Sequence, residues 1–278
     1  MASNLVVARG GVEYVPPVSL AFWRWFFVFL ILLPFTYLTI FKNIKHLKKE
    51  YKKLFFLGAM GCGVCGAFPF MAGMTTTVAN MGIIYTSSPI FIILISSYFY
   101  KERLNATQFL GLGLCFIGVV SIIAKGEINL LMSLKFTSGD LWMLGAAVGW
   151  ALYAVLLLNW KSKFSLFSRF TIIAFFGAVS LMPFSLIENH FIRQVIFNDM
   201  FYFWTIFAAI SPGIIAFSLY AQAQKSLGAS ITGFTLYLFT VYGAFYGIFI
   251  FEEQLKSYHY YGAILVFAGM FFVRKKIN

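Results

Sequence analysis

The side chains able to do chemistry in this sequence are few, and most are uncharged. Arg24 stands seven residues after Pro17, about two helical turns into the apolar stretch 17–40. Lys225 ends another apolar stretch, Glu102, Glu252 and Glu253 sit at the ends of others, and His46, His190 and His259 fall in or beside polar segments. No Asp or Glu is expected in mid-stretch. A carboxylate proton relay, an aspartyl protease or an intramembrane metal site needs a carboxylate or imidazole at depth. The pattern argues against an enzyme, and no catalytic residue, metal ligand or cofactor is assigned. Cys62 and Cys65 form a CxxC inside an apolar stretch. Two thiols alone are neither a zinc site nor an exposed, activated redox pair, so they read as small residues that pack helices.

Arg24 has two readings. Its guanidinium suits a carboxylate or phosphate on a small solute, or it snorkels to headgroups and ties helix ends to backbone carbonyls. Its shallow position favours the structural reading. The uncharged candidates are Asn4, Asn80, Trp150, Tyr153, Tyr220, Gln222, Gln224 and Tyr237. Trp150 and Tyr153 lie one turn apart and share a helix face. Asn80 and Ser87 are expected to share a face with Thr76. Amide and phenol groups in hydrocarbon need a partner on another helix or on a ligand. Singly, each reads as interhelical packing. As a set, they read as a mixed aromatic and polar cavity with no fixed internal charge pair, suited to a neutral, zwitterionic or aromatic solute. Trp142, Trp160 and Trp204 lie near stretch ends and are expected in the interfacial belt. Gly145 with Gly149, and Gly243 with Gly247, allow close helix approach. Glu102 and Glu253 are expected to cap the helices that follow them.

The elements that position these residues follow from composition. The chain has 278 residues, 61% hydrophobic, 20% aromatic and 11% charged, against about 25% charged in soluble domains. Stretches of membrane-crossing length, about 20 apolar residues, occur at 17–40, 54–74, 78–99, 105–124, 140–160, 169–187, 200–222, 229–251 and 257–273. The ten-residue alternation of a β-barrel is absent. The fold class is therefore an all-α polytopic membrane protein in a lipid bilayer. The net charge of +12 invites a nucleic-acid partner, but its distribution excludes one. Lys42, Lys45, Lys48, Lys49, Lys52, Lys53, Lys101, Arg103, Lys161, Lys163, Arg169, Lys225, Arg274, Lys275 and Lys276 fall on one side of the predicted topology, 15 of the 21 basic residues. Arg9, Lys125, Lys135, Arg193 and Lys256 fall on the other. That bias is the positive-inside pattern and predicts cytoplasmic termini.

The chain repeats itself. Shifted by 151 residues, SSYFYKERLNATQFLGLGLCFIGVV at 96–120 lies on GIFIFEEQLKSYHYYGAILVFAGMF at 247–271, with Gly111 on Gly262 and Gly118 on Gly269. Shifted by 149, Phe26, Phe27, Pro34 and Phe35 fall on Phe175, Phe176, Pro183 and Phe184. Two repeats are expected, 1–126 and 139–278, with five spans each. An odd number inverts the second repeat relative to the first. The first eight residues align with the later part of 139–160, so they read as the second half of a span whose first half, roughly ten residues, would precede Met1.

On these residues the chain resembles the drug/metabolite transporter superfamily, specifically its EamA-type ten-helix members. The matching segments are VPPVSLAFWRWFFVFLILLPF at 15–35, SSPIF with YKERLNATQFLGLGLCFIGVVSI within 87–122, GDLWMLGAAVGWALYAVLL at 139–157, and LGAS, FEEQL and YYGAILVFAGMF within 227–271. Thr240 stands where the first repeat has Pro89, whereas similar proteins usually carry proline at both places. The resemblance implies a 5+5 inverted-repeat bundle around a central cavity, working by alternating access in the cell (inner or plasma) membrane. It implies a small-molecule substrate, often amino-acid-like, moved outward. It places Asn4, Asn80, Trp150, Tyr153, Tyr220, Gln224 and Tyr237 in cavity-lining spans. A homodimer stays open, and the alternative is a non-transporting sensor or assembly subunit.

Overall fold

The computed structural model describes residues 3–76, 78–101, 104–127, 129, 132, 137–238, 240–242 and 256–274, and describes only the backbone of 5, 9, 78–80, 83, 273 and 274. Helix α1 is Ser3–Val6, which continues into a π turn at Val7–Gly11. Then come α2 (Pro17–Lys42), α3 (Ile44–Ala72), α4 (Val78–Tyr85), α5 (Ser88–Tyr100) and α6 (Ala106–Ile123). The later elements are α7 (Ser138–Asn159), α8 (Leu166–Phe191), α9 (Asp199–Leu227), α10 (Ala229–Gly233, leading into a 3-10 turn at Phe234–Leu236) and α11 (Ser257–Arg274). Six of them, α2, α3, α6, α7, α8 and α9, are long and apolar enough to cross a membrane. The chain is an all-helical, multi-pass membrane protein. Its outward side chains, such as Phe184, Leu219 and Phe271, are large and apolar, as a lipid-facing surface requires. Glu102, Glu252, Glu253, Gly243 and Gly247 lie outside the described residues.

Helix starts follow local chemistry. Asn105 and Gln108 form a reciprocal capping box for α6, Ser165 caps α8, and Asn198 caps α9. Each satisfies amides that have no partner within their own helix. One expected span is split. The stretch 78–99 breaks after Tyr85 and resumes at Ser88, because Pro89 has no N–H to donate back into the preceding turn. Ser87 sits in that break and donates to Ile84 O at 2.5 Å, while Thr76 donates to Asp140 Oδ1 at 2.5 Å. The expected common face of Thr76, Asn80 and Ser87 includes the Asn80 side chain, which lies outside the described residues.

Residues equivalent by the sequence shift meet in reciprocal pairs. A Cβ on Gly118 would lie 2.7 Å from Gly262 O, and one on Gly269 would lie 2.6 Å from Gly111 O. These two contacts are images of each other under the 151-residue shift, so α6 and α11 pack antiparallel. Midway between them the Cys115 thiol donates to Val266 O at 3.4 Å, and these two residues are each other's equivalents. Helices α2 and α8 also pack antiparallel. Ser185 donates to Ser19 at 3.0 Å near one end, and Thr36 donates to Thr171 at 3.1 Å near the other. Both α3 and α9 contain a π turn, Ala59–Val64 and Ala209–Ile215. The first packs Cys62 against Gly177 of α8, and the second packs Gly213 against Val28 of α2. Val28 and Gly177 are equivalent at the 149-residue shift.

A contact without an image caps α2. Glu188, in the last turn of α8, is buried and accepts from Val18 N at 3.0 Å and Ser19 N at 2.7 Å. It caps the N-terminus of α2 from 170 residues away, where a negative charge also suits the helix dipole.

Candidate functional site

Two layers of polar side chains lie inside the bundle. The first centres on Arg24, which α2 carries inward at 3% exposure. Its Nη1 donates to Asn4 Oδ1 at 2.9 Å and its Nη2 to Pro212 O at 3.0 Å. Its Cζ lies 4.6 Å from the Trp25 ring centroid. Beside it, Ser211 donates to Ser3 at 3.0 Å. Arg24 thus ties α1 and α2 to the π turn of α9, where the shifted backbone bonding leaves a carbonyl open to a side-chain donor. The tie to a backbone carbonyl expected of Arg24 is made to Pro212 O, with the guanidinium buried between helices. Counting residues from Pro17 gives its depth along α2 but not that α1 and α9 pack over it with two acceptors.

Removing that guanidinium leaves Pro212 O buried without its donor and the part-buried Asn4 without its partner. Arg24→Ala is expected to destabilise the protein by about 2–3 kcal/mol, and its cycle with Asn4→Ala to show a coupling of about 1 kcal/mol. Unfolding in detergent measures both. Additive losses would remove Asn4 as a partner.

The second layer is aromatic. Trp150 is 2% exposed, and its ring centroid lies 5.4 Å from Tyr153, 5.0 Å from Tyr220 and 5.3 Å from Phe217. Trp25 closes the set at 4.8 Å from Phe217. Spacing explains the grouping, since Phe217, Tyr220 and Gln224 recur at i, i+3 and i+7 on one face of α9. Gln224 Nε2 donates to Ala154 O at 2.9 Å, fixing α9 to α7. Its Oε1, Tyr220 Oη, Trp150 Nε1 and Trp25 Nε1 are buried, and none makes a hydrogen bond, although Tyr220 lies close to both Trp150 and Gln224. Tyr85 of α4 is near Tyr220, Cys65 and Arg24, which links the two layers.

A cavity of ≈ 330 Å³ reaches this layer. Tyr153, Phe170, Phe217 and Gln224 line its buried part, and the exposed Lys161 and Lys225 stand at its outer part. Arg169 also lines it, with Nη1 on Leu157 O at 2.7 Å and Nη2 on Trp160 O at 2.8 Å. Those bonds satisfy carbonyls at the C-terminal end of α7, and the positive charge suits that end of the helix.

The structure therefore brings Trp150, Tyr153, Tyr220 and Gln224 together, with Asn4 and Arg24 in the neighbouring layer. Gln222 is exposed. Tyr237 is fully buried but belongs to a second apolar cluster, with Ile93, Cys115, Val119, Phe234 and Val266. The side chain of Asn80 lies outside the described residues. Trp25, Tyr85 and Phe217 complete the site without having been singled out from sequence. For Phe217 the one-turn offset from Tyr220 was the available signal, whereas Trp25 and Tyr85 had none beyond being aromatic. Trp204, expected in the interfacial belt, packs its ring onto Gly10 and its Cβ beside Gly11, with its Nε1 buried. Glycine at those positions leaves room for an indole that would otherwise face headgroups. Gly145 and Gly149 bring α7 close to Phe68 and Val64 of α3.

A solved structure shares this fold, and known proteins resemble the sequence. One solved structure superposes with a TM-score of 0.77 at 17% identity, covering 98% of this chain and 92% of its own. A protein of Archaeoglobus fulgidus named as an uncharacterized transporter is 26% identical over 279 residues, covering 99% of this chain and 93% of its own. The uncharacterized transporter YyaM of Bacillus subtilis is 28% identical over 271 residues, covering 95% and 86%. The EamA-like transporter family profile matches residues 1–124 and 137–275. The two matched segments leave out little but the link between α6 and α7, and with them the chain belongs to the EamA-like transporter family.

Proposed function

We propose that this transporter moves a small organic solute, amino-acid-like or otherwise neutral or zwitterionic, out of the cell by alternating access between two inverted repeats, 1–126 and 139–278. The observation that carries the reading is the buried polar set packed behind the cavity wall, Trp150 Nε1, Tyr220 Oη and Gln224 Oε1, of which Gln224, with Tyr153 and Phe217, lines the cavity itself. Buried polar groups are costly unless bonded, and here three donors and acceptors converge beside apolar rings. A small cargo with an amide, amine or carboxylate and an apolar body would complete them. Arg24 acts as a structural tie in this reading, since both of its Nη atoms are engaged. The reciprocal helix contacts support an inverted arrangement, and the π turns of α3 and α9 are its hinges. The lysine-rich end faces the cytoplasm, with both termini on that side, following the charge bias.

Counterflow in proteoliposomes tests this reading, with protein vesicles preloaded from a panel of amino acids and other small metabolites. Exchange of a radiolabelled solute is expected. Tyr220→Phe is expected to raise the half-saturating concentration about tenfold, the equivalent of one lost hydrogen bond, while melting stays unchanged. Folded protein that exchanges no member of the panel would favour the sensor or assembly subunit. The close packing of rings in the central layer fits that second reading.

A further inference from the structure

Helix α3 is longer than a bilayer needs. Its 29 residues span about 43 Å, whereas the hydrocarbon core is about 30 Å thick. Its first turns, IKHLKKEYKK at 44–53, project at the lysine-rich end of the bundle. Lys45, Lys48, Lys49 and Lys52 fall at i, i+3, i+4 and i+7 and are all exposed, so they form one stripe along the outer face. The opposite face points inward, where Leu47 packs against the core and Leu54 is buried. Exposed Tyr51, Phe55 and Phe56 continue the helix toward the hydrocarbon.

The one acid in these turns does not neutralise the stripe. Glu50 accepts from Ser162 Oγ at 2.6 Å and from Lys163 N at 3.5 Å, so its charge is turned inward to the loop between α7 and α8. Four exposed ammonium groups on one face, at headgroup height and beside apolar side chains, match the phosphates of anionic lipid.

We propose that the outer face of residues 45–52 is a binding site for anionic phospholipid headgroups. The site also borders the cavity mouth. Ser162, held by Glu50 on the inner side of the same two turns, lines the cavity. A lipid seated on the stripe therefore holds in place the helix that anchors the cavity rim. The proposal is independent of any cargo, because its test reads lipid binding and not transport.

The full-length protein in detergent is titrated with phosphatidylglycerol or with phosphatidylcholine of the same acyl chains. Native mass spectrometry counts bound lipid, and melting temperature is read in parallel. Wild type is expected to retain phosphatidylglycerol in preference and to melt several degrees higher with it, and inorganic phosphate at equal concentration is expected to have no such effect. Lys48→Gln/Lys49→Gln is expected to weaken phosphatidylglycerol binding about tenfold. Lys161→Gln/Lys163→Gln, at the same end of the molecule, is expected to keep the preference. Equal retention of the two lipids by wild type would overturn the proposal. So would an undiminished preference in Lys48→Gln/Lys49→Gln, an equal loss in Lys161→Gln/Lys163→Gln, or a matching effect of inorganic phosphate. Should the double variant not fold, loss of the wild-type preference as ionic strength rises gives the same test, and a salt-insensitive preference would overturn the proposal.

Discussion

Gly118→Leu is expected to leave little or no folded protein, while Gly113→Ala on the same helix is expected to be neutral or slightly stabilising. A Cβ at Gly118 would sit 2.7 Å from Gly262 O, 2.9 Å from Leu265 Cβ and 3.0 Å from Val266 N. Two of those atoms are backbone, so no rotamer change relieves the clash. The helices must separate, and that separation also breaks the reciprocal contact at Gly111 and Gly269. Overpacking of this kind costs about 3 kcal/mol or more, at the upper end of measured values. At Gly113 an added Cβ meets nothing within 4 Å, so Ala brings only its better helix propensity, up to about 1 kcal/mol. Yield of monodisperse protein and melting temperature in detergent measure both. Two variants of similar stability would show that α6 and α11 do not pack through Gly118. Gly262→Leu, across the same contact, is expected to be as damaging, because its Cβ would sit 2.7 Å from Gly118 O.

Glu188→Ala is the second variant with a large expected loss, about 3 kcal/mol. The carboxylate accepts from two amides at the start of α2, Val18 N and Ser19 N. Both would be left buried without an acceptor, as Ser19 is fully buried and Val18 nearly so. Lipid and apolar side chains offer no substitute. Glu188→Gln keeps one carbonyl oxygen and should recover roughly half of the loss, since a neutral acceptor is weaker than a charged one. Thermal unfolding of the three proteins side by side distinguishes a cap from simple packing. If Gln and Ala were equally damaging, size and shape rather than acceptance would explain Glu188.

Much of the architecture was legible in the residues. Long apolar runs predicted the spanning helices, because a helix that satisfies its own backbone is the simplest way to cross lipid. The 151-residue shift aligned Gly111 with Gly262 and Gly118 with Gly269, and these are the residues at which α6 and α11 touch. The aromatic grouping was also partly legible, since Trp150 and Tyr153 share a face by spacing alone. The partners of polar atoms were not. Nothing near Arg24 in the chain shows that Pro212 O, 188 residues away, would receive its Nη2. An acid in the last turn of an apolar helix, such as Glu188, looks like a solvated end until α2 is placed against it. Nothing near Thr76 in the chain shows that its hydroxyl would donate to Asp140, 64 residues away.

The sequence by itself determined that this chain is a helical membrane protein and which residues align under the 149- and 151-residue shifts. Those properties depend on local hydropathy and on spacing along one strand of chain. Only the tertiary structure decided that Arg24 is a buried tie, that Glu188 caps α2, and that Trp150, Tyr153, Tyr220 and Gln224 meet beside a cavity while Tyr237 packs elsewhere. Whether a buried polar atom is satisfied depends on which helix lies against it, and helices spaced this far apart in the chain carry no local mark of the neighbour they will meet.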